Sequence, residues 1–172
     1  VVEKLKARLV KVVVGDPSVE GVRMGALASH AQQADVAERV ALLRQGAELV
    51  YGGGSADFSP VGEGTANGAF FQPTLLIARD PFARDGANAA VHDIEAFGPV
   101  STLMPYDGID EALALAARGK GSLVASLVTK EPATAARMVP VMAALHGRLH
   151  VLDRESAVES TGHGSPLPLL KH

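Results

Sequence analysis

The stretch SLVASLVTKEPATAARMVPVMAALHGRLHVL, residues 122–152, decides the fold class. Ser122–Thr129 is a nearly continuous apolar run of one strand's length, bounded by turn residues. Pro132 stands where a helix would start, a position that tolerates its missing N–H. Apolar residues then continue to about Leu145, and Gly147–Leu152 forms a second strand-like run. A strand, a helix and a strand in so short a span make a βαβ unit, whose strands run parallel. The alternation extends upstream, with a strand over Val100–Tyr106 and a helix over Ile109–Arg118. The pattern predicts an α/β fold with a parallel sheet covered on both faces.

The first half is less regular. Val2, Leu5, Leu9 and Val12 recur at helical spacing among Lys4, Lys6, Arg8 and Lys11. Gly15-Asp16-Pro17 stops that helix. Ser29 suits the cap of a second helix, with Val36, Val40 and Leu43 on its apolar face and Gly46 closing it. Glu48–Tyr51 reads as a short strand ended by three glycines, and the Gly/Ser/Pro-rich stretch to Gly68 as an exposed loop. Phe70–Ile77 resumes as a strand, and Pro73 predicts an edge position for it. No repeat and no heptad pattern appears, and the tail around STGHGSPLPLL reads as loop.

Bulk properties exclude several functions. The chain has 172 residues, enough for one domain with its own core. A net charge of −3 supplies no field for nucleic acid or anionic membrane. Aromatics at 4% with no Trp leave no base-stacking platform. The absence of Cys excludes disulfides, thiolate metal sites and a cysteine nucleophile within these residues. No apolar run reaches membrane-span length and no secretory signal is visible, so the expected location is cytoplasmic. The first residue is Val1 and the end is abrupt, which suggests a piece of a longer protein.

Several clusters invite chemistry. The glycines Gly52–Gly54, Gly62, Gly64 and Gly68 suggest a phosphate loop, but no helix follows directly and the spacing misses the dinucleotide fingerprint. His146 and His150 would need a third ligand such as His163, so no metal is expected. Ser165, His163 and Asp153 suggest a serine hydrolase, yet Gly162–Pro166 is not a nucleophile elbow. The segment HDIEAFGPV, His92–Val100, carries a sharper signal. Glu95 stands two residues before Phe97 and a Gly98-Pro99 turn, at the mouth of a strand. Functional groups concentrate on such loops when a rigid scaffold holds them.

Glu95-Ala96-Phe97-Gly98-Pro99-Val100 resembles the E-x-F-G-P-V motif of the aldehyde dehydrogenase superfamily. Val14–Pro17 is similar to its G-D-P, Met24–Leu27 to its M-G-P-L with Ala26 for Pro, Phe71–Leu75 to its F-x-P-T-L, and Gly121–Ser126 to its Y-G-L-A-A-S, all in family order. Ser160–Pro168, with His146-Gly147-Arg148, resembles the ring-cleavage semialdehyde dehydrogenases of aerobic phenylacetate and benzoate degradation.

The resemblance implies that residues 1–172 are part of a Rossmann-like catalytic domain of the aldehyde dehydrogenase fold. The nucleophilic Cys, the general-base Glu and the cofactor-binding domain would then lie upstream. It implies NAD or NADP as cofactor, with Glu95 accepting from the nicotinamide-ribose hydroxyls and Phe97 limiting the ring. Asp153, Arg154 and His163 would line the substrate entrance, although most members carry Asn where Asp153 stands. The implied partners are a small aldehyde, an acyl-CoA thioester, and further copies in a homo-oligomer. A noncatalytic α/β binding or oligomerisation module is the competing reading.

Overall fold

The computed structural model describes residues 1–54 and 57–159. The chain divides into two compact units, Val1–Pro105 and Tyr106–His172.

In the first unit, α1 (Val2–Leu9) leads through a parallel bridge at Val14 and Met24 to α2 (His30–Gly46). Ser29 caps α2 as its sequence predicts, its hydroxyl accepting from the Gln32 N–H at 3.1 Å. Val36, Val40, Leu43 and Gly46 form the buried face. Gly46 is dictated by packing, since a Cβ there would sit 2.1 Å from the Ala87 carbonyl oxygen. The chain passes directly into β1 (Ala47–Tyr51), which pairs antiparallel with β2 (Thr74–Ala78). β2 pairs in parallel with β3 (Val100–Leu103), and a short helix α3 (Gly86–Ala90) lies on the connection between them.

Two expectations are corrected here. The pairing of β1 with β2 is antiparallel because the described residues between them hold a 3-10 turn at Thr65–Asn67 and no crossover helix. β2 is the central strand of the order β1-β2-β3, not an edge. Pro73 is accommodated because it immediately precedes the strand and needs to give no ladder hydrogen bond. Residues 70–73 precede the strand and stand outside the ladder.

The glycines after β1 answer to backbone geometry. Gly52, Gly53 and Gly54 all have positive φ, and a Cβ on Gly52 would lie 2.1 Å from the Pro73 carbonyl oxygen. Around the sheet, Leu43, Ala47, Leu76, Ala78 and Val91 form one core cluster, with Ile94 and Val100 packed against it. Val36, Val40 and Phe71 form a second, again with Val100 against it.

In the second unit, α4 (Gly108–Arg118), β4 (Ser122–Val128), α5 (Pro132–Leu145), β5 (His146–Leu152) and the short α6 (Ser156–Glu159) follow in order. β4 and β5 pair in parallel around α5, the βαβ unit that residues 122–152 predict. Ala112, Leu127, Met138 and Met142 form its core. Among the described residues, coverage of both sheet faces is not observed. Val124, Ser126 and Val128 share one face of β4, and all three are exposed. The apolar run is therefore buried chiefly at Leu127.

Candidate functional site

The segment between α3 and β3 alternates. Ile94 joins the core, Glu95 is exposed, Ala96 is half-buried, and Phe97 stands 66% exposed. Gly98 then turns inward against α2, where a Cβ would meet a Val36 methyl at 2.7 Å. Two short-range backbone bonds tighten the corner: Gly98 N–H to the Ala96 carbonyl at 2.8 Å and Val100 N–H to the Gly98 carbonyl at 2.8 Å. These i to i+2 bonds are γ-turns centred on Phe97 and Pro99. The Pro99 carbonyl accepts from Thr74 N–H at 2.8 Å, joining the corner to β2. A carboxylate and an aromatic ring are thus presented to solvent from a backbone fixed on three sides. The site lies at the N-terminal mouth of the parallel pair β2–β3. Chemically it offers an acceptor-only group suited to a diol, next to an apolar face suited to a planar ring.

The backbone fix has a component that sequence reasoning missed. The Gln32 side chain donates from Nε2 to the Phe97 carbonyl at 2.6 Å, and its Oε1 accepts from Ala28 N–H at 2.9 Å. The signal was present, because Ser29-x-x-Gln32 is a capping-box pattern. Here Gln32 reaches back one residue further than the usual box, to Ala28 rather than Ser29. Gln33 makes a comparable bond from Nε2 to the Phe70 carbonyl at 2.7 Å.

Asp153 and Arg154 belong to the second unit, and both are exposed just after β5. A cleft of about 200 Å³ at the C-terminal ends of β4 and β5 is lined by Thr129–Pro132, Val151, Asp153 and Ser156. Such strand ends are the usual ligand position in α/β sheets. Asp153 Oδ1 accepts from the Ser156 N–H at 2.8 Å and from the Ser156 hydroxyl at 2.7 Å. These bonds, the backbone one first, hold its carboxyl below the ordinary aspartate range. His163, with Ser165 and the rest of the tail motif, lies outside the described residues. His146 and His150 do share β5, and both ring nitrogens of His146 are shielded with no hydrogen-bond partner. Among the described residues no group of three or more His, Asp and Glu is arranged to hold a metal. No helix among them is long and apolar enough to cross a membrane.

Comparison with known proteins follows the same lines. The model of the aldehyde dehydrogenase family matches residues 1–161. The 3,4-dehydroadipyl-CoA semialdehyde dehydrogenase of Aromatoleum evansii is 44% identical over 170 residues, 99% of this chain and 32% of that protein. Protein MaoC of Klebsiella aerogenes is 48% identical over 150 residues, 87% of this chain and 42% of that protein. A crystal structure of Mycobacterium tuberculosis aldehyde dehydrogenase complexed with NAD+ matches with a TM-score of 0.68 at 27% identity, covering 87% of this chain and 28% of that one. The chain therefore spans a third to two fifths of the length of these curated relatives. With a family match over nearly its whole length and a fold shared with solved members, the chain belongs to the aldehyde dehydrogenase family.

Proposed function

We propose that the chain is the later part of the catalytic domain of an NAD(P)-dependent aldehyde dehydrogenase. Its substrate is a CoA-thioester semialdehyde of aromatic-ring degradation, and its product the acid. The similarity to a CoA-semialdehyde dehydrogenase supports the substrate class. The observation that carries the reading is the fixed corner presenting Glu95 and Phe97. The nucleophilic Cys and the cofactor-binding domain belong to sequence outside these residues, in keeping with the absence of Cys and the greater length of the relatives.

The exposed carboxylate and aromatic fit a nicotinamide nucleoside, the group that accepts the hydride when bound. Glu95 accepts hydrogen bonds from the ribose diol and sets the rotation of the nucleoside. Phe97 limits where its ring can lie. Two such contacts convert a loosely held group into a near-attack arrangement. Asp153, Arg154 and His163 line the substrate entrance, with Arg154 suited to a CoA phosphate. The active form is a cytoplasmic homo-oligomer.

The test uses the complete reading frame. Glu95→Gln keeps the size and removes the charge, and charge-assisted bonds are worth about 1.5–3 kcal/mol, so hydride transfer slows roughly tenfold. Acylation of the Cys changes less, because it does not depend on ring position. Single-turnover formation of reduced cofactor at the wild-type rate in Glu95→Gln would remove the assignment. The 172-residue chain alone is expected to show no aldehyde turnover with NAD+ or NADP+, and formation of reduced cofactor by the purified chain would contradict this.

A further inference from the structure

We infer that Gln32 is a positioning residue for the reaction, acting through the Phe97 carbonyl. This rests on the reading that the Glu95–Phe97 corner meets the nicotinamide nucleoside, and it names what holds that corner in register.

The argument starts from the backbone. Along the corner, the Ala96, Gly98 and Pro99 carbonyls accept from backbone N–H groups, whereas the Phe97 carbonyl accepts from a side chain. The peptide joining Phe97 to Gly98 has glycine on one side, and glycine tolerates rotations that other residues resist. Rotation of that peptide moves its carbonyl and, with it, the direction of the Phe97 ring and the approach of Glu95. Gln32 opposes the rotation, and it does so as a strut with two anchored ends. Its Oε1 is held by Ala28 N–H at 2.9 Å, its own backbone N–H is held by the Ser29 hydroxyl at 3.1 Å, and its Nε2 reaches Phe97 at 2.6 Å.

One helical turn further on, Val36 closes the same corner from below. It is fully buried and lies against Gly98 so closely that no Cβ fits between them. Positions i and i+4 share a helix face. The one face of α2 therefore supplies a hydrogen bond to the carbonyl and a hard stop under the next Cα. A hydrogen bond at the carbonyl sets an orientation that the apolar contact alone leaves free.

Gln32→Leu removes both ends of the strut at similar volume. Gln32→Glu keeps the acceptor for Ala28 and turns a second oxygen toward the Phe97 carbonyl, which repels it. In the complete enzyme both variants slow single-turnover hydride transfer about tenfold, the scale expected when a reacting group loses its fixed orientation. The cofactor KM and the rate of Cys acylation stay near wild type. Gln33→Leu, which removes the comparable bond to Phe70, serves as the control for stability: it lowers the thermal midpoint to a similar extent but leaves hydride transfer intact. Because Gln32 acts through Glu95 and Phe97, combining Gln32→Leu with Glu95→Gln slows transfer little beyond the slower single variant. Wild-type hydride transfer in both Gln32 variants, alongside a slowed Glu95→Gln, overturns the positioning role and leaves the cofactor assignment standing. A rise in cofactor KM with unchanged transfer, or fully multiplicative effects in the double variant, also overturns it. Wild-type transfer in Glu95→Gln overturns the cofactor assignment and this inference with it. Should Gln32→Leu fail to fold, Gln32→Glu decides the matter alone by the same readouts.

Discussion

Asp153 shows how one residue can serve the fold whatever else it touches. Its carboxylate takes both the N–H and the hydroxyl of Ser156, and this favours its charged form. A carboxyl lowered in the folded state stabilises the turn after β5 at pH values above its unfolded pKa. That support is lost as pH falls through the lower, folded value. A carbon-detected NMR titration should therefore place the Asp153 midpoint below the ordinary aspartate range, and Ser156→Ala should move it back up. An unmoved midpoint would show that the Ser156 hydroxyl is not a cause and leave the Ser156 backbone N–H to account for the whole shift. Asp16 is lowered in the same sense by Ser18, whose N–H it accepts at 2.9 Å. The Asp153-x-x-Ser156 spacing suits such a turn, because short polar side chains commonly bond local backbone groups, but it was not read from the sequence. The family resemblance drew attention to substrate instead. Glu95 and Phe97 stand out in the sequence as a charged and an aromatic residue beside Gly-Pro, and the structure leaves both exposed. Gln32 was not legible as a partner of Phe97, because the contact spans residues far apart in sequence.

At the scale of elements, helix ends read well, and strand pairing read well in residues 122–152 but not around β1 and β2. Ser29 marks the start of α2 because capping is a local demand, whereas what requires Gly46 at its end, the Ala87 carbonyl, lies far along the chain. The direction of β1 against β2 depends on what the connecting chain can do. The decisive sign was the lack of any helical period between Gly52 and Gly68, which leaves no crossover. Pro73 misled for a similar reason: a proline just before a strand says nothing about which neighbours the strand has. β2 is the element on which the first unit depends, with Thr74, Leu75, Leu76 and Ala78 all buried. Leu76 is 0% exposed within the main cluster. Leu76→Ala should cost about 2–5 kcal/mol from lost burial and the cavity left behind. The drop in urea midpoint measures this, and a change below one tenth of the wild-type midpoint would place the core elsewhere.

For the molecule as a whole, the α/β class was legible because the βαβ period is contiguous in residues 122–152. What hydrophobicity could not reveal is where burial ends. Leu123 is 87% exposed and Val128 71% exposed on β4, and Val124 adds to the apolar surface. Exposed apolar groups of this kind, on a strand with one partner among the described residues, favour association. Sedimentation velocity on the 172-residue chain should show self-association that weakens when Val128 is replaced by Lys. A clean monomer for the wild-type chain would contradict this.

The antiparallel start of the first sheet also sets an order in time. A ribosome releases the chain in order from its N-terminal side, and domains begin to fold as they emerge. α2, β1 and β2 all precede His92 in the chain and so emerge before it. β1 and β2 can pair at once, while the other side of β2 waits for β3. Gln32 and Val36 are among the early residues, so the surface that receives Phe97 and Gly98 exists before they arrive. The corner bearing Glu95 is then cast against a finished mould, and it closes in the same step that shields the second edge of β2.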